Sequence, residues 1–223
     1  MTIHVLVEGS SERALLEPWA TRMLAGHPVL VHPHQGKGAL PTDLAARPDP
    51  KHRGLLDLLP ATLRGYSDAL SSEKDGVIVL VDADDDDPAE LHASVAAVAA
   101  TFAPALRISV CVAVEETEAF YLGDLKAVRR AFPNADMALA RTYVPDSVCG
   151  TAELFGRLVH DGGNNKVAWA EAMAPVLTTR AGRSRSPSFR KLVAALGELL
   201  PVEAPPARRR PYRHVARTAR KRR

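Results

Sequence analysis

Acidic side chains occur directly after three apolar segments of this sequence. They are Glu8, the pair Asp82 and Asp84, and Glu118. Carboxylates that are forced together repel one another unless protons or cations neutralise them. Oxygen ligands of this kind suit the hard divalent ions Mg²⁺ and Mn²⁺, which act on phosphate esters. If the fold brings the three groups together, the sequence predicts a divalent cation site with phosphate-ester chemistry.

The segments that precede these acids are predicted to be β-strands. Residues 77–81 are five consecutive apolar residues, three of them Val, which is typical of a central parallel strand covered on both faces. Residues 3–7, 29–31 and 107–114 are predicted to be the other strands, and helical patterns separate them. This alternation predicts an α/β fold with a mainly parallel, Rossmann-like sheet and helices on both faces. Because the carboxyl ends of parallel strands share one edge, we expect the acids to converge in a crevice there.

Asp82 and Asp84 stand two residues apart, so we expect both carboxylates to point to the same side and to reach one ion. Asp86 could extend that row. The competing interpretation of this acidic run is a solvated turn.

A second segment, Gly36-Lys37-Gly38, contains the residue types of a phosphate-binding loop but lacks the spacing of a nucleotide-binding P-loop. We expect a flexible loop at the crevice mouth that touches substrate phosphates or, more simply, a connecting loop.

Length and composition exclude several classes of protein. The chain has 223 residues, 46% of them hydrophobic and 25% charged, which excludes a wholly disordered or fibrous chain. No apolar run reaches the roughly 18 residues that span a bilayer, and the N-terminus does not resemble a secretory signal. Two cysteines cannot build a disulfide framework, and there is no CxxC pair for zinc. We therefore expect a cytoplasmic protein.

The sequence predicts three parts. An α/β core covers residues 1–124, a mainly helical extension packed on it covers residues 125–204, and a basic disordered tail covers residues 205–223. From residue 207 onward there are nine Lys or Arg and no Asp or Glu, whereas the rest of the chain has 20 basic and 26 acidic residues. A cationic arm can bind polyanions without sequence preference; the alternative is a solvated tail without a specific partner.

Several motifs resemble those of a known family. Residues 7–12, Val-Glu-Gly-Ser-Ser-Glu, resemble the opening motif of Toprim-like proteins, and residues 81–84, Val-Asp-Ala-Asp, resemble their DxD motif. Three further segments are similar to successive blocks of a Toprim-like bacterial family, domain-of-unknown-function family 4276: residues 116–124, 165–170 and 183–189. The resemblance spans roughly residues 3–200. The first two motifs are common, but all five blocks in order are fairly specific.

The resemblance implies a Toprim fold, the compact parallel sheet shared by topoisomerases, primases and overcoming-lysogenisation-defect nucleases. Glu8 matches the first acid, which serves as metal ligand or general acid–base. Asp82 and Asp84 match the metal-binding DxD pair, and Glu12 matches the second acid of the nuclease branch. Glu118 matches a family acid whose role the motif does not define.

The chemistry that the resemblance favours is metal-dependent phosphodiester hydrolysis. The chain has no clear active-site tyrosine motif of a topoisomerase and no zinc module of a primase. The expected cofactor is Mg²⁺ or Mn²⁺, in a two-metal arrangement. Its predicted ligands are Glu8, Glu12, Asp82, Asp84 and Glu118, and the predicted catalytic residues are Glu8, Asp82, Asp84 and Lys166. Basic residues predicted to offset phosphate charge or to bind nucleic acid are Arg183, Arg185, Arg190, Arg208, Arg209 and Arg210.

The expected partner is nucleic acid, DNA more than RNA. The family resemblance adds a partner ATPase and a role in defence against phage or in DNA transactions; a homodimer is compatible with it, and no membrane partner is expected. One alternative is a non-catalytic binding or regulatory module whose acidic pocket is a structural ion site. Another is a phosphoacceptor receiver domain, which is disfavoured because such a domain needs adjacent acids after its first strand and a Lys after its last.

Overall fold

Four strands form an all-parallel sheet in the computed structural model, which describes residues 1–147, 150–162 and 165–200. In chain order they are β1 (Thr2–Val7), β2 (Val29–Pro33), β3 (Asp75–Asp82) and β4 (Arg107–Ala113). Their order across the sheet is β2-β1-β3-β4. The predicted Rossmann-like α/β fold with a parallel sheet is confirmed, and each predicted strand is found.

Helices connect the strands and continue after the last one. They are α1 (Ser10–Met23), α2 (Leu55–Ala69), α3 (Pro88–Phe102), α4 (Glu118–Gly123), α5 (Leu125–Ala131), α6 (Met137–Thr142), α7 (Thr151–Leu158), α8 (Lys166–Met173) and α9 (Pro187–Leu199), with a 3₁₀ turn at Ala181–Arg183. Local sequence fixes several of their starts. Before α9, the Ser186 hydroxyl accepts the N–H of Phe189 at 3.1 Å, and Pro187 occupies the first turn. None of the described helices is long and apolar enough to cross a membrane.

Helices cover both faces of the sheet, and this explains the uninterrupted apolar run in β3. Side chains of a strand alternate between the two faces. Ile78 and Leu80 belong to the hydrophobic core shared with α1 and α9, whereas Val77, Val79 and Val81 belong to the core shared with α2 and α3. All five are at most 2% exposed. With a core on each side, β3 has no solvent face that could carry a polar residue before Asp82.

The helices after residue 124 share their hydrophobic core with the sheet. Phe189 of α9 is fully buried, with its ring centroid 5.2 Å from that of Trp19 and 5.3 Å from that of Phe120. The Trp19 indole donates a hydrogen bond to the carbonyl of Thr178 at 2.9 Å. At the predicted boundary, the Asp124 carboxylate accepts the N–H of Thr178 at 3.0 Å. The helical extension is therefore built into the core that positions the strand ends.

The end of the sequence lies outside the described residues. This applies to residues 201–204 of the predicted extension and to the whole predicted tail, residues 205–223, including Arg208, Arg209 and Arg210.

Replacing Phe189 by Ala should lower the free energy of unfolding by about 3–5 kcal/mol, because the truncation leaves a cavity between α9, α1 and α4. Urea denaturation followed by circular dichroism measures it. The matched control is Lys191→Ala on the exposed side of α9, which should change the free energy by no more than about 0.5 kcal/mol. Equal effects of the two substitutions would contradict the packing of α9 against the sheet.

Candidate functional site

The order of the strands places a crevice between β1 and β3. The chain adds β2 on one side of β1 and β3 on the other, so the winding of the sheet reverses between β1 and β3. In open α/β sheets, ligands bind outside the carboxyl ends of the strands at such a reversal. Glu8 follows β1 directly and Asp82 is the last residue of β3. The topology alone therefore brings the first two acids to the place where this fold binds ligands.

Glu8 and Asp82 are in direct contact. The Glu8 Oε1 atom accepts the backbone N–H of Asp82 at 2.8 Å. Burial raises the pKa of Glu8 to about 7; the bond from Asp82 and the charge of Lys37 oppose this shift, while the charges of Asp84 and Glu12 add to it. Burial, followed by the charges of Glu8 and Glu12, raises the pKa of Asp82 well above its usual value. Both carboxyls are thus held where their charged forms are unfavourable.

Glu12 reaches the same place from the first turn of α1. It is 8% exposed. Its Oε1 atom accepts hydrogen bonds from the hydroxyls of Ser11 at 3.0 Å and Thr117 at 3.3 Å. A Cβ atom at Gly9 would lie 3.1 Å from Glu12 Oε2, so the glycine leaves room for this carboxylate. The turn after β1 therefore holds two acids, one on each side of a glycine.

Glu118 completes the acidic cluster from the start of α4. Its side chain is 1% exposed, and Oε1 has no hydrogen-bond partner in the part of the chain that the structure describes. Burial raises the pKa of Glu118 to about 7, although the charge of Lys166 opposes the shift. A buried carboxylate oxygen without a partner is costly. A proton or a cation at this position would remove that cost.

Lys166 provides the positive charge on the α8 side of the crevice. Its Nζ donates to Glu116 Oε1 at 2.8 Å. Burial works against the charged amine, but Glu118 and Glu116 outweigh it and raise the pKa of Lys166 to about 12. The other oxygen of Glu116 accepts the N–H of Ala152 at 2.7 Å and the hydroxyl of Thr151 at 3.2 Å. Glu116 thus holds Lys166 and α7 next to the acids. The motif at residues 116–124 contains Glu116, but its sequence predicts a metal-binding role only for Glu118.

Asp84 lies in a tight turn after β3 and faces Lys37. Alternation ends with β3, because the chain turns there: the N–H of Asp86 bonds to the carbonyl of Ala83 at 2.9 Å, and Asp84 has a φ of 49°. The side chain of Asp84 is 53% exposed, and its Oδ2 lies 3.3 Å from Lys37 Nζ. The charge of Asp84 still raises the pKa values of both Glu8 and Asp82, and the expectation that the two aspartates reach one ion stays a prediction.

Lys37 belongs to the loop expected at the crevice mouth, but its contacts with the acidic turn are not predicted by the sequence. Its Nζ donates to the Ala83 carbonyl at 2.7 Å and lies 2.7 Å from Asp86 Oδ2, in addition to its contact with Asp84. The lysine side chain is only 14% exposed. A cavity of about 510 Å³ opens beside Lys37 and the acidic turn. The loop after β2 therefore supplies an ammonium group to the acids that follow β3.

The predicted arginines do not join this cluster. Arg183 and Arg185 are exposed and line a separate cavity at the far end of α4. Arg190 is exposed on α9, and its Nη2 donates to the carbonyl of Arg185 at 3.3 Å. Among the described residues, Arg183, Arg185 and Arg190 are thus not part of the acidic cluster, whereas Lys166 is next to it.

The ligand atoms of the acidic cluster suit a divalent cation, but the described side chains are not arranged around a common point where one could bind. All its donors are carboxylate oxygens, which Mg²⁺ and Mn²⁺ prefer, and the buried Glu118 Oε1 lacks a partner. However, no three His, Cys, Asp or Glu side chains within residues 1–147, 150–162 and 165–200 are grouped so that they could hold a metal ion. Binding of a cation would therefore require these side chains to rotate towards it.

Comparison with known proteins does not identify the chain. No family model matches it, and no curated protein and no solved structure matches it either.

Without a bound cation, the free energy of unfolding should fall as the pH rises from about 4.5 to about 7. Glu8 and Glu118 have pKa values of about 7 in the folded protein and ordinary values of 4.5, so the folded protein holds more protons than the unfolded chain in this window. Their stabilising contribution is complete below pH 4.5 and is lost as the pH passes 7, at no more than about 1.4 kcal/mol per pH unit for each carboxyl.

Urea denaturation in EDTA between pH 4.5 and 8 measures this slope. The Glu8→Gln/Glu118→Gln variant should show a clearly smaller slope, because neither amide titrates. An unchanged slope in the variant would mean that these two carboxyls do not have raised pKa values.

Replacing Lys37 by Met should strengthen Mn²⁺ binding by about tenfold, because the substitution removes a competing ammonium and adds one net negative charge to the acidic turn. Isothermal titration calorimetry with MnCl₂ measures the affinity. Lys51→Met, an exposed lysine of the same loop, is the matched control and should leave it unchanged. Weaker binding by Lys37→Met would show that Lys37 does not compete with the cation.

Proposed function

We propose that this protein is a Toprim-like, metal-dependent nuclease that hydrolyses phosphodiester bonds in nucleic acid. The observation that supports the proposal best is the gathering of Glu8, Asp82 and Glu118 at the strand ends, with raised pKa values and an unpartnered buried oxygen on Glu118. Buried like charges at a ligand-binding crevice are typical of functional sites. Divalent cations are the neutralisers that would also activate a phosphate ester.

Each residue of the cluster has a role in this proposal. A divalent cation, when bound, would polarise the phosphate and lower the pKa of the attacking water. Glu8, Glu12, Asp82 and Glu118 would hold it, and Asp84 would contribute once it separates from Lys37. Lys166 stays positively charged at neutral pH, since its pKa is about 12. Its ammonium would offset the negative charge that develops on the phosphate oxygens.

The wider setting of the proposal rests on the family resemblance. Of the residues that match Toprim acids, Glu8, Glu12 and Asp82 influence one another's charge at the crevice, whereas Asp84 faces Lys37. Glu118, which matches a family acid without a defined role, also raises the pKa of Asp82. DNA is favoured over RNA as the substrate, and the proposal includes a partner ATPase and a role in phage defence or DNA processing. The proposed location is the cytoplasm, in line with the buried free thiol of Cys111.

The alternative is a non-catalytic Toprim-like module that binds nucleic acid or regulates a partner. Two observations favour it. No three metal-binding side chains in the described parts of the chain are grouped to hold an ion. Lys37 and Lys166 already place two ammonium groups against the acids. A site neutralised by its own lysines could be stable without a catalytic metal.

A plasmid-nicking assay with Mg²⁺ or Mn²⁺ separates the two functions. The wild-type protein should convert supercoiled plasmid to the nicked form, and EDTA should prevent it. Asp82→Asn should reduce the rate by about a hundredfold or more, as expected when a group that holds the metal is lost. Because the substitution removes a repelling charge, the variant should remain folded, which thermal denaturation verifies. Asp85→Asn, an exposed acid of the same turn, should cleave at the wild-type rate.

Two results would count against the nuclease. If the wild-type protein binds Mn²⁺ but does not cleave single- or double-stranded DNA or RNA, the non-catalytic alternative is favoured. If Asp82→Asn cleaves as fast as the wild type, the cleavage does not arise at the acidic crevice.

A further inference from the structure

A groove at the far end of α4 is lined by four basic residues. They are Lys126, Arg130, Arg183 and Arg185, and the cavity that they line has a volume of about 650 Å³. All four side chains belong to exposed residues. A cavity of this size can hold a group as large as a nucleotide unit. We call it the basic groove.

The polypeptide backbone holds these cations in place. Lys126 and Arg130 are four residues apart on α5 and therefore lie on the same face of the helix. On the other side, the N–H of Arg185 donates to the carbonyl of Gly123 at 2.8 Å. A Cβ atom at Gly123 would lie 2.5 Å from the Ser184 hydroxyl, so the two segments approach closely. The groove is thus formed by two connected segments.

The charges in the basic groove are not balanced by acids. In the described residues, none of its four cations forms a salt bridge. Asp124 is the one acid among the lining residues, and its carboxylate accepts backbone N–H groups of Ala127 at 3.1 Å and Thr178 at 3.0 Å. Burial, followed by the charge of Arg130, lowers the pKa of the neighbouring Arg22. An anion in the groove would relieve this repulsion.

The basic groove lies close to the acidic crevice. Helix α4 begins with Glu118 in the crevice and ends with Gly123 at the groove. Five residues of α-helix correspond to about 7.5 Å along the axis. The acidic crevice and the basic groove therefore lie at the two ends of one short buried helix.

We propose that the basic groove binds the phosphates of a nucleic-acid strand that passes the acidic crevice. The identity of the strand as a substrate rests on the proposed function, but its binding requires neither metal nor cleavage. Arginine side chains match phosphate geometry and bind it with two parallel hydrogen bonds. None of the described lining residues is aromatic, so the groove has no surface on which a base could stack. Binding is therefore to the backbone and independent of base sequence.

Fluorescence anisotropy of a labelled 20-nucleotide DNA strand, measured with the full chain in EDTA, tests the proposal. Arg130→Ala/Arg183→Ala should bind about tenfold more weakly than the wild type, and the slope of log affinity against log salt should fall by about 1.4, because each phosphate contact on a single strand contributes about 0.7. The control Arg129→Ala/Lys191→Ala removes two exposed charges from α5 and α9 outside the groove. This control should keep the wild-type salt slope, and its affinity should stay within about twofold of the wild-type value. The small remaining difference would come from the lower net charge of the variant.

The outcomes distinguish this proposal from the proposed function. Equal affinity and equal salt slope in the groove variant and the control would overturn the groove. Normal binding by a wild-type protein that fails to nick plasmid would remove the nuclease but leave the groove. Unlabelled DNA should displace the labelled strand more effectively than polyglutamate at equal charge. Equal displacement by the two competitors would overturn the assignment to nucleic acid in favour of an acidic protein.

Discussion

Repulsion between partly buried carboxylates is the constraint on which the site depends. Glu8 follows β1, Asp82 ends β3 and Glu118 begins α4. Because the parallel strands end at one edge of the sheet, the three carboxylates are held close enough to influence one another's charge. The surrounding structure compensates in particular ways: Glu8 receives a backbone N–H, and lysines approach from two sides. Glu118 Oε1 is not compensated within the described residues. The presence of a buried carboxylate oxygen without a partner distinguishes the crevice from an ordinary solvated turn.

The parts of the fold that the sequence predicts are those set by apolar periodicity. Residues 77–81 identify a strand with a core on each face, and the strand–helix alternation fixes the parallel direction and hence the common edge. The meeting of Glu8 with Asp82 follows from these two facts alone, because each acid stands directly after its strand. No precise side-chain geometry was needed for that inference.

The parts that the sequence does not predict depend on loops and on contacts between distant segments. A tight turn after β3 brings Asp84 to Lys37, which a run of acids does not reveal. Lys37 contacts acids 47 and 49 residues away, and Glu116 contacts Lys166 across 50 residues. Single charged residues carry no periodicity, so only the folded chain shows their partners.

The direction of α9 places its last described residues at the end of the sheet away from the acids. Leu199 lies against Gly76, at the amino-terminal end of β3, and its carbonyl accepts a hydrogen bond from Arg107 at the start of β4. The acids stand at the opposite end of these strands, about seven residues or roughly 23 Å away. Helix α9 is thus fastened to the ends of β3 and β4 that lie farthest from the acids, so a load applied to its last turn acts on the sheet and not on the crevice.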